Sequence, residues 1–138
     1  MITARDIMSD EVIVIYDDML VSQVAHLMLR NRVSSFPVVS KTIGIVGIVT
    51  MTDFFRMINS ASHSRKKDSF ERRIARFKKL KVATVMTKKV VSITPQTTLT
   101  EIVHLLVEKS IHAFPVLENG KLVGIVGRHD ILNAIFSY

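Results

Sequence analysis

Two short segments of the chain each join a strand-like apolar run to the expected start of a helix. They read Gly47-Ile-Val-Thr50-Met-Thr-Asp53 and Gly124-Ile-Val-Gly127-Arg-His-Asp130. The first N–H groups of a helix have no partner within the helix and attract anions, so each segment suits a phosphate. The Thr50 hydroxyl can bond that phosphate, and the Asp53 carboxylate can accept hydrogen bonds from both hydroxyls of a ribose. However, Thr50-x-x-Asp53 is also an ordinary capping box, and these residues alone favour the capping box.

The second segment lacks the threonine hydroxyl, because Gly127 stands where the first segment has Thr50. Glycine is an acceptable N-cap and leaves the backbone N–H groups open, but a phosphate there loses one hydrogen-bond partner. Arg128 or His129 can compensate, or either side chain can point into solvent. We therefore expect phosphorylated ligands to prefer the first segment.

Other residue patterns give no sign of catalysis. The chain has no cysteine, which excludes a thiolate nucleophile and a cysteine-ligated metal. We find no set of nucleophile and base, no paired catalytic carboxylates and no Walker lysine. His26 and His104 are expected to be partly buried helix residues rather than metal ligands. The sequence thus predicts a protein that is not an enzyme, with no catalytic residue, catalytic cofactor or metal.

The elements that position these segments occur twice. Shifting the chain by 78 residues places Met8 on Met86 and Phe36-Pro-Val on Phe114-Pro-Val, and a shift of 77 aligns the two glycine-aspartate segments. Such ordered self-similarity is typical of an internal repeat. The predicted domains are residues 1–58 and 82–138, separated by a linker at 59–81.

Each repeat has the pattern of a β-α-β-β-α unit. Apolar runs at 12–15 and 90–93 predict first strands, and Thr98-x-x-Glu101 predicts a capped helix. Glu118-Asn-Gly-Lys121 predicts a hairpin. Units this small bury too little surface to be stable alone. We therefore expect an α/β fold in which two pseudo-symmetric repeats pack through their sheets.

The linker holds the whole charge imbalance. Residues 59–83 contain nine basic and two acidic residues, a net +7 that equals the net charge of the chain. Phe70, Ile74 and Phe77 follow helical spacing, which predicts a basic amphipathic helix within 69–80. The favoured interpretation is an extra helix that lays its three apolar residues on the protein. Docking of an acidic protein, nucleic acid or an anionic surface by residues 65–81 stays open.

Taken together, the repeated motifs resemble a known family. Met-[Ser/Thr] near the start, x-Phe-Pro-Val in the middle and Gly-Ile-Val-x-x-x-Asp at the end of each repeat are similar to a tandem pair of cystathionine β-synthase (CBS) domains, also called a Bateman module. The resemblance covers nearly all of the chain outside 59–81. It implies a pseudo-symmetric module with two clefts between the repeats, often occupied by adenosine compounds.

The resemblance also assigns residues to the clefts. Each cleft combines the aspartate segment of one repeat with the first strand and the pre-proline loop of the other. The first cleft is assigned Ile48, Thr50, Asp53, Val90, Val91, Ile111, His112 and Pro115. The second cleft is assigned Val12, Ile13, Val33, Ser34, Pro37, Gly127, Arg128 and Asp130.

These assignments predict a regulatory sensor module that binds AMP, ADP, ATP or S-adenosylmethionine and signals to a partner protein. A non-phosphorylated adenosine ligand, or none, is as compatible with the second cleft. The alternative function is a scaffold or adaptor that docks nucleic acid or an acidic protein through residues 65–81.

Apolar residues of the last helices predict a homodimer, in agreement with the resemblance. They are Phe54, Phe55, Ile58, Ile131, Leu132, Ile135 and Phe136. The longest clean apolar run, residues 43–49, is too short to cross a bilayer, and the N-terminus does not resemble a secretory signal. We therefore expect a cytoplasmic protein without a membrane span.

Overall fold

The computed structural model describes residues 1–62 and 69–137. Arg65, Lys66 and Lys67, which contribute to the predicted basic segment, lie outside the described residues. The elements are α1 (Ala4–Ile7), β1 (Ile15–Tyr16), α2 (Val21–Asn31), β2 (Ser35–Ser40), β3 (Gly44–Thr50), α3 (Met51–Ser62), α4 (Phe70–Lys78), a 3₁₀ turn (Val82–Thr84), α5 (Leu99–Lys109), β4 (Ala113–Glu118), β5 (Lys121–Gly127) and α6 (Arg128–Phe136).

The two repeats have matching secondary structure, which confirms the predicted mixed α/β fold. Strands β1, β2 and β3 form one sheet, in which β1 is parallel and β3 antiparallel to β2. Strands β4 and β5 form an antiparallel pair. Asn119 and Gly120 both have positive φ, as the predicted Asn-Gly hairpin requires.

The first strands are shorter than predicted. Only Ile15–Tyr16 forms a strand in the first repeat, and in the second repeat Ile93 alone bridges Val116. To extend the pairing before Ile93, residue 115 would have to donate a backbone N–H, but residue 115 is proline. Pro37 occupies the equivalent position in the pairing before Ile15. Because proline has no N–H, the parallel pairing cannot extend toward residues 12 and 90.

The chain folds into two compact units that do not coincide with the repeats. The first unit is Val14–Lys89, and the second joins Met1–Ile13 to Val90–Tyr138. The predicted domains 1–58 and 82–138 are defined by the similarity of the two repeats in sequence, whereas the two units are defined by which residues contact each other in the fold. Residues 1–13, the first leading segment, thus belong to the unit built mainly from the second repeat. Residues 82–89, the second leading segment, belong to the unit built mainly from the first.

Each leading segment pairs with the outer edge of the last strand in its unit. In the first unit, Thr87 N–H donates to the Ile48 carbonyl at 2.8 Å, and Ile48 N–H donates to the Thr87 carbonyl at 2.9 Å. In the second unit, Ser9 and Ile125 exchange the equivalent bonds at 2.9 and 3.0 Å. These bonds cover an edge that would otherwise leave backbone groups unpaired.

Two glycines allow this close approach. A Cβ at Gly47 would lie 2.7 Å from Met86 Sδ and 2.8 Å from the Thr87 carbonyl oxygen. A Cβ at Gly124 would lie 2.5 Å from Met8 Sδ and 3.0 Å from the Ser9 carbonyl oxygen. The repeated Met-[Ser/Thr] and Gly-Ile-Val motifs therefore meet inside each unit.

Apolar side chains from the sheet and helices fill the core of each unit. The second unit buries a cluster of Ala4, Ile93, Ile102, Phe114, Val116, Val126 and Ile131. Two of the residues expected on an apolar surface are in fact buried, since Phe54 is 7% exposed and Ile131 is 4% exposed. Both face inward because they lie on the side of their helix that packs against the unit. Phe55, Leu132, Ile135 and Phe136 are exposed as predicted.

Helix α4 confirms the predicted basic amphipathic helix. It begins after Ser69, whose hydroxyl accepts a hydrogen bond from Arg72 N–H at 3.2 Å. Phe77 packs edge-to-face on Phe54 of α3, with ring centroids 5.7 Å apart. Phe70 remains 54% exposed, so not all three apolar residues are covered. Phe70 and Ile74 line a groove of about 530 Å³ between α4 and the start of α2.

We expect Gly47→Ala and Gly124→Ala each to lower the free energy of unfolding by about 1–3 kcal/mol, as overpacking usually does. The backbone carbonyl of the leading segment cannot move away from the new methyl group without breaking its pairing. Gly127→Ala is the comparison variant without a close contact, since a Cβ there would lie 3.6 Å from its nearest neighbour, Asp130 Oδ2, and only the smaller loss of the glycine N-cap is expected. Chemical denaturation of the three variants measures the effect. Equal stability in all of them would contradict the proposed close approach.

Candidate functional site

The first junction, residues 50–53, links β3 to α3 and forms a complete capping box. Thr50 N–H donates to Asp53 Oδ2 at 2.8 Å, and the Thr50 hydroxyl donates to the same oxygen at 3.2 Å. Asp53 N–H donates to Thr50 Oγ1 at 3.2 Å. The capping interpretation of Thr50-x-x-Asp53 is therefore correct as a description of this structure. The capping box does not exclude a ligand, because it uses only Oδ2 of Asp53 and leaves Oδ1 with other neighbours.

That second oxygen of Asp53 faces the leading segment. The Thr87 hydroxyl donates to Asp53 Oδ1 at 2.8 Å, and Arg56 Nη1 lies 3.9 Å from the same oxygen. Asp53 is 6% exposed. Burying a carboxylate is costly unless hydrogen bonds replace its water. Here three hydrogen bonds and a nearby guanidinium replace the water around the Asp53 carboxylate.

The second junction, residues 127–130, links β5 to α6 and is more open. Gly127 N–H donates to Asp130 Oδ2 at 2.7 Å. Asp130 is only partly buried, and within the described residues its Oδ1 has no hydrogen-bond partner. Ser9 stands where the first unit has Thr87, but it makes no described hydrogen bond to Asp130. The two carboxylates thus differ in burial and in the number of donors they hold.

An arginine–histidine pair lies beside the second junction. Arg128 Nη1 is 2.8 Å from His112 Nδ1. A guanidinium can only donate, so Nδ1 accepts and a neutral His112 carries its proton on Nε2. Both side chains are exposed, so the pair is accessible from solvent.

The residues assigned to each cleft divide between the two units. Those of the first cleft lie in the first unit (Ile48, Thr50 and Asp53) and in the second unit (Val90, Val91, Ile111, His112 and Pro115). Those of the second cleft lie in the second unit (Val12, Ile13, Gly127, Arg128 and Asp130) and in the first unit (Val33, Ser34 and Pro37). The two assignments stay predictions.

Within each unit, the residue that begins the pre-proline loop lies beside the junction of that same unit. Met51 N–H donates to the Ser34 carbonyl at 3.0 Å, and His112 contacts Arg128. Residues 34 and 112 are equivalent in the repeat, as are residues 51 and 128. The histidine assigned to the first cleft therefore also neighbours the second junction.

Sequence reasoning missed the role of Thr87. Its place in the Met-[Ser/Thr] motif was a signal, but only the folded chain shows that its hydroxyl reaches Asp53. His26 and His104 are both exposed, so the expectation that they are partly buried is wrong. They lie on the solvent side of α2 and α5. No group of three potential metal ligands occurs in the described parts of the chain.

A sequence model of the CBS domain matches residues 4–60 and 82–137. The chain belongs to the CBS-domain family. This result confirms the resemblance to a tandem CBS pair, with one domain in each repeat. In the described ranges, no helix of this CBS pair is long and apolar enough to cross a membrane.

Relatives of this CBS pair are found among sequences and solved structures. Uncharacterized protein MJ1426 of Methanocaldococcus jannaschii is 29% identical over 95% of this chain and 89% of its own length. The CBS-domain containing protein ATU1752 from Agrobacterium tumefaciens has a TM-score of 0.81 and 20% identity, over 96% of this chain and 92% of that one. CBSX2, whose structure is a complex with AMP, has a TM-score of 0.76 and 23% identity, over 99% of this chain and 98% of that one. These two structures share the fold.

Some relatives of the CBS pair carry the name of an enzyme. Three are named homoserine O-acetyltransferase, and the chain spans only 23–24% of their length. The match therefore covers a small part of each enzyme, and their activity is not assigned to this chain.

We expect Asp53→Ala to lower the free energy of unfolding by about 2–3 kcal/mol, because three donors lose a buried charged acceptor. Asp130→Ala removes one acceptor from a partly buried N-cap, and we expect a loss of about 1 kcal/mol. Denaturant unfolding of both variants without added ligand measures the difference. Equal losses would show that the Thr87 bond and the burial of Asp53 contribute nothing.

Proposed function

We propose that this CBS pair is a regulatory module that binds adenosine nucleotides and signals their presence to a partner protein. The ligands are AMP, ADP, ATP or S-adenosylmethionine, held in two clefts to which both repeats contribute. The protein performs no chemistry on them. It acts by changing its own stability and contacts when a cleft is occupied.

The observation that carries this proposal is the repeated junction of strand, helix start and aspartate. At both junctions the aspartate caps the first turn of the helix. At the first junction the N–H groups of Met51 and Asp53 already donate within the chain, which leaves the Thr52 N–H for a ligand. Such N–H groups favour a phosphate, and a carboxylate beside them suits ribose hydroxyls. A capping box alone would account for one junction, but the order of the motif is the same in both repeats.

The AMP complex of CBSX2 supports the choice of ligand. That protein shares the fold over nearly the whole of this chain and binds AMP. In the proposed first cleft, the apolar side chains of Val90, Val91 and Ile111 would accept a purine face, and backbone groups would bond its edge. The adenosine part is therefore the common element of the proposed ligands.

The basic helix supports a second candidate function, docking of an acidic protein or nucleic acid. Arg72, Lys78, Lys79 and Lys81 are exposed along or just after α4, and Phe70 is exposed at the groove. An apolar groove with a basic rim suits an acidic protein better than a nucleic acid. Salt-sensitive binding of oligonucleotides, together with no response to any adenosine compound, would favour this alternative function.

We expect AMP to bind the first junction more tightly than the second, because Thr50 offers a hydroxyl where Gly127 offers none. That hydroxyl donates to Asp53 Oδ2 at 3.2 Å in the structure, and it would turn to the phosphate when AMP binds. A hydrogen bond to a charged group contributes about 1.5–3 kcal/mol, or roughly tenfold or more in affinity. Calorimetric titration with AMP should therefore show a larger loss for Asp53→Asn than for Asp130→Asn. At 100 times its Kd, a ligand should add about 2.7 kcal/mol of stability.

Gly127→Thr is the matched gain variant for this titration. Gly127 has φ −103°, and a Cβ there would make only an ordinary contact, 3.6 Å from Asp130 Oδ2, so we expect a threonine to fit. Its hydroxyl should bring AMP binding at the second junction closer to that of the first. If Asp130→Asn abolishes AMP binding and Asp53→Asn leaves it unchanged, the proposed order of the two sites is wrong.

We propose that the protein is a homodimer through its exposed apolar residues on α3 and α6. Phe55 is 64% exposed and Phe136 is 79% exposed, and Leu132 and Ile135 lie beside Phe136. Leu132, Ile135 and Phe136 follow helical spacing and so share one face of α6, and exposed apolar patches often mark an interface.

Sedimentation equilibrium at tens of micromolar should give about twice the 15.6 kDa chain mass. The double variant Phe55→Ser, Phe136→Ser should sediment as a monomer, because both changes remove apolar area without touching the core. A parent protein that sediments at the mass of one chain would rule the dimer out.

A further inference from the structure

The Asp53 carboxylate is almost completely engaged by donors from its own chain. Oδ2 accepts both the N–H and the hydroxyl of Thr50, and Oδ1 accepts the hydroxyl of Thr87. Only 5% of the Asp53 side chain is exposed. Each carboxylate oxygen offers about two lone-pair sites, so roughly one remains, on Oδ1.

A ribose presents two neighbouring hydroxyls and therefore needs two such sites. The Thr50 N–H bond to Oδ2 holds the helix cap, whereas the Thr87 bond to Oδ1 is not part of the cap. Even when the Thr50 hydroxyl turns to a phosphate, Thr87 still occupies one of the two lone-pair sites of Oδ1. We propose that the Thr87 hydroxyl competes with a bound ribose for Asp53 and so lowers the affinity of the first junction for adenosine nucleotides. This inference rests on the proposed function.

Thr87 can release Asp53 without moving its backbone. Its N–H and carbonyl pair with Ile48 at 2.8 and 2.9 Å, and these bonds are independent of the side chain. Rotation about χ1 turns the hydroxyl away while the leading segment stays in place. Exchange of one donor for another at Oδ1 is therefore a local event.

The second junction lacks this competitor. Ser9 has the same backbone pairing with Ile125, but within the described residues its side chain makes no hydrogen bond to Asp130. One oxygen of Asp130 is thus open to a ligand from the start. The internal competitor is a property of the first junction alone.

The test is calorimetric titration of Thr87→Val with AMP, in a protein that carries Asp130→Asn so that the first junction dominates. Valine keeps the shape of threonine but cannot donate. We expect AMP to bind about tenfold more tightly, equal to about 1.4 kcal/mol. Thr87→Ser keeps the hydroxyl and should bind AMP like the parent. In the Asp53→Asn background the gain should vanish, as a double-mutant cycle would show.

Ser9→Ala changes the equivalent position in the other leading segment. It is the control for a general loss of stability in such a segment, and it should leave the affinity for AMP unchanged. Unchanged or weaker binding by Thr87→Val, or an equal gain from Ser9→Ala, would overturn the competition. If no variant binds AMP, ADP, ATP or S-adenosylmethionine, the proposed function fails and the competition fails with it.

A second measurement covers the case in which Thr87→Val does not fold. Thr87→Ala then replaces it in the titration. In addition, the ¹³C-methyl signal of Thr87 in the parent protein should shift on saturation with AMP, because the hydroxyl leaves Asp53. A Thr87 signal that stays in place while AMP binds would overturn the competition.

Discussion

Backbone pairing between a leading segment and the last strand of a unit is the constraint on which the two units depend. Thr87 bonds to Ile48, and Ser9 bonds to Ile125, in both cases through two hydrogen bonds. The strand edge is closed by chain that belongs, in sequence, to the other repeat. This pairing requires glycine at positions 47 and 124, because any Cβ would meet the incoming backbone. The motifs that the two repeats share therefore serve mainly to join each leading segment to the last strand of its unit.

The same pairing determines the surroundings of the two candidate carboxylates. It brings the Thr87 side chain against Asp53, where the threonine hydroxyl reaches Oδ1. The serine at the equivalent position does not bond to Asp130. A buried carboxylate needs several donors, whereas a partly exposed one keeps water as a partner. A small difference between the two repeats thus leaves the Asp130 carboxylate more open to a ligand than the Asp53 carboxylate.

The basic helix is held by the first unit on one side only. Phe77 packs against Phe54, and the backbone of Leu80 bonds to Val21 at the start of α2. These contacts use the apolar side of α4 and leave most of its charge toward solvent. Six basic residues lie on or just after this helix of the first unit: Arg72, Arg73, Arg76, Lys78, Lys79 and Lys81. The packing of Phe77 on Phe54 helps to fix the position of this helix within the unit.

The sequence by itself determined the repeat, the order of the elements, the capping boxes and the Asn-Gly hairpin, because these depend on residues close together in the chain. It also indicated both aspartates, since their spacing from the strand ends is local. It failed for the lengths of the first strands, because the missing proline N–H matters only once strands 20 residues apart are paired.

Only the tertiary structure decided which leading segment joins which unit, that Phe54 and Ile131 are buried, and that Thr87 bonds to Asp53. Each of these depends on contacts between residues far apart in the chain, which no local pattern encodes. Asp53 and Thr87 are separated by 34 positions. A hydroxyl and a carboxylate that far apart become partners only when the pairing of Thr87 with Ile48 fixes the distance between them.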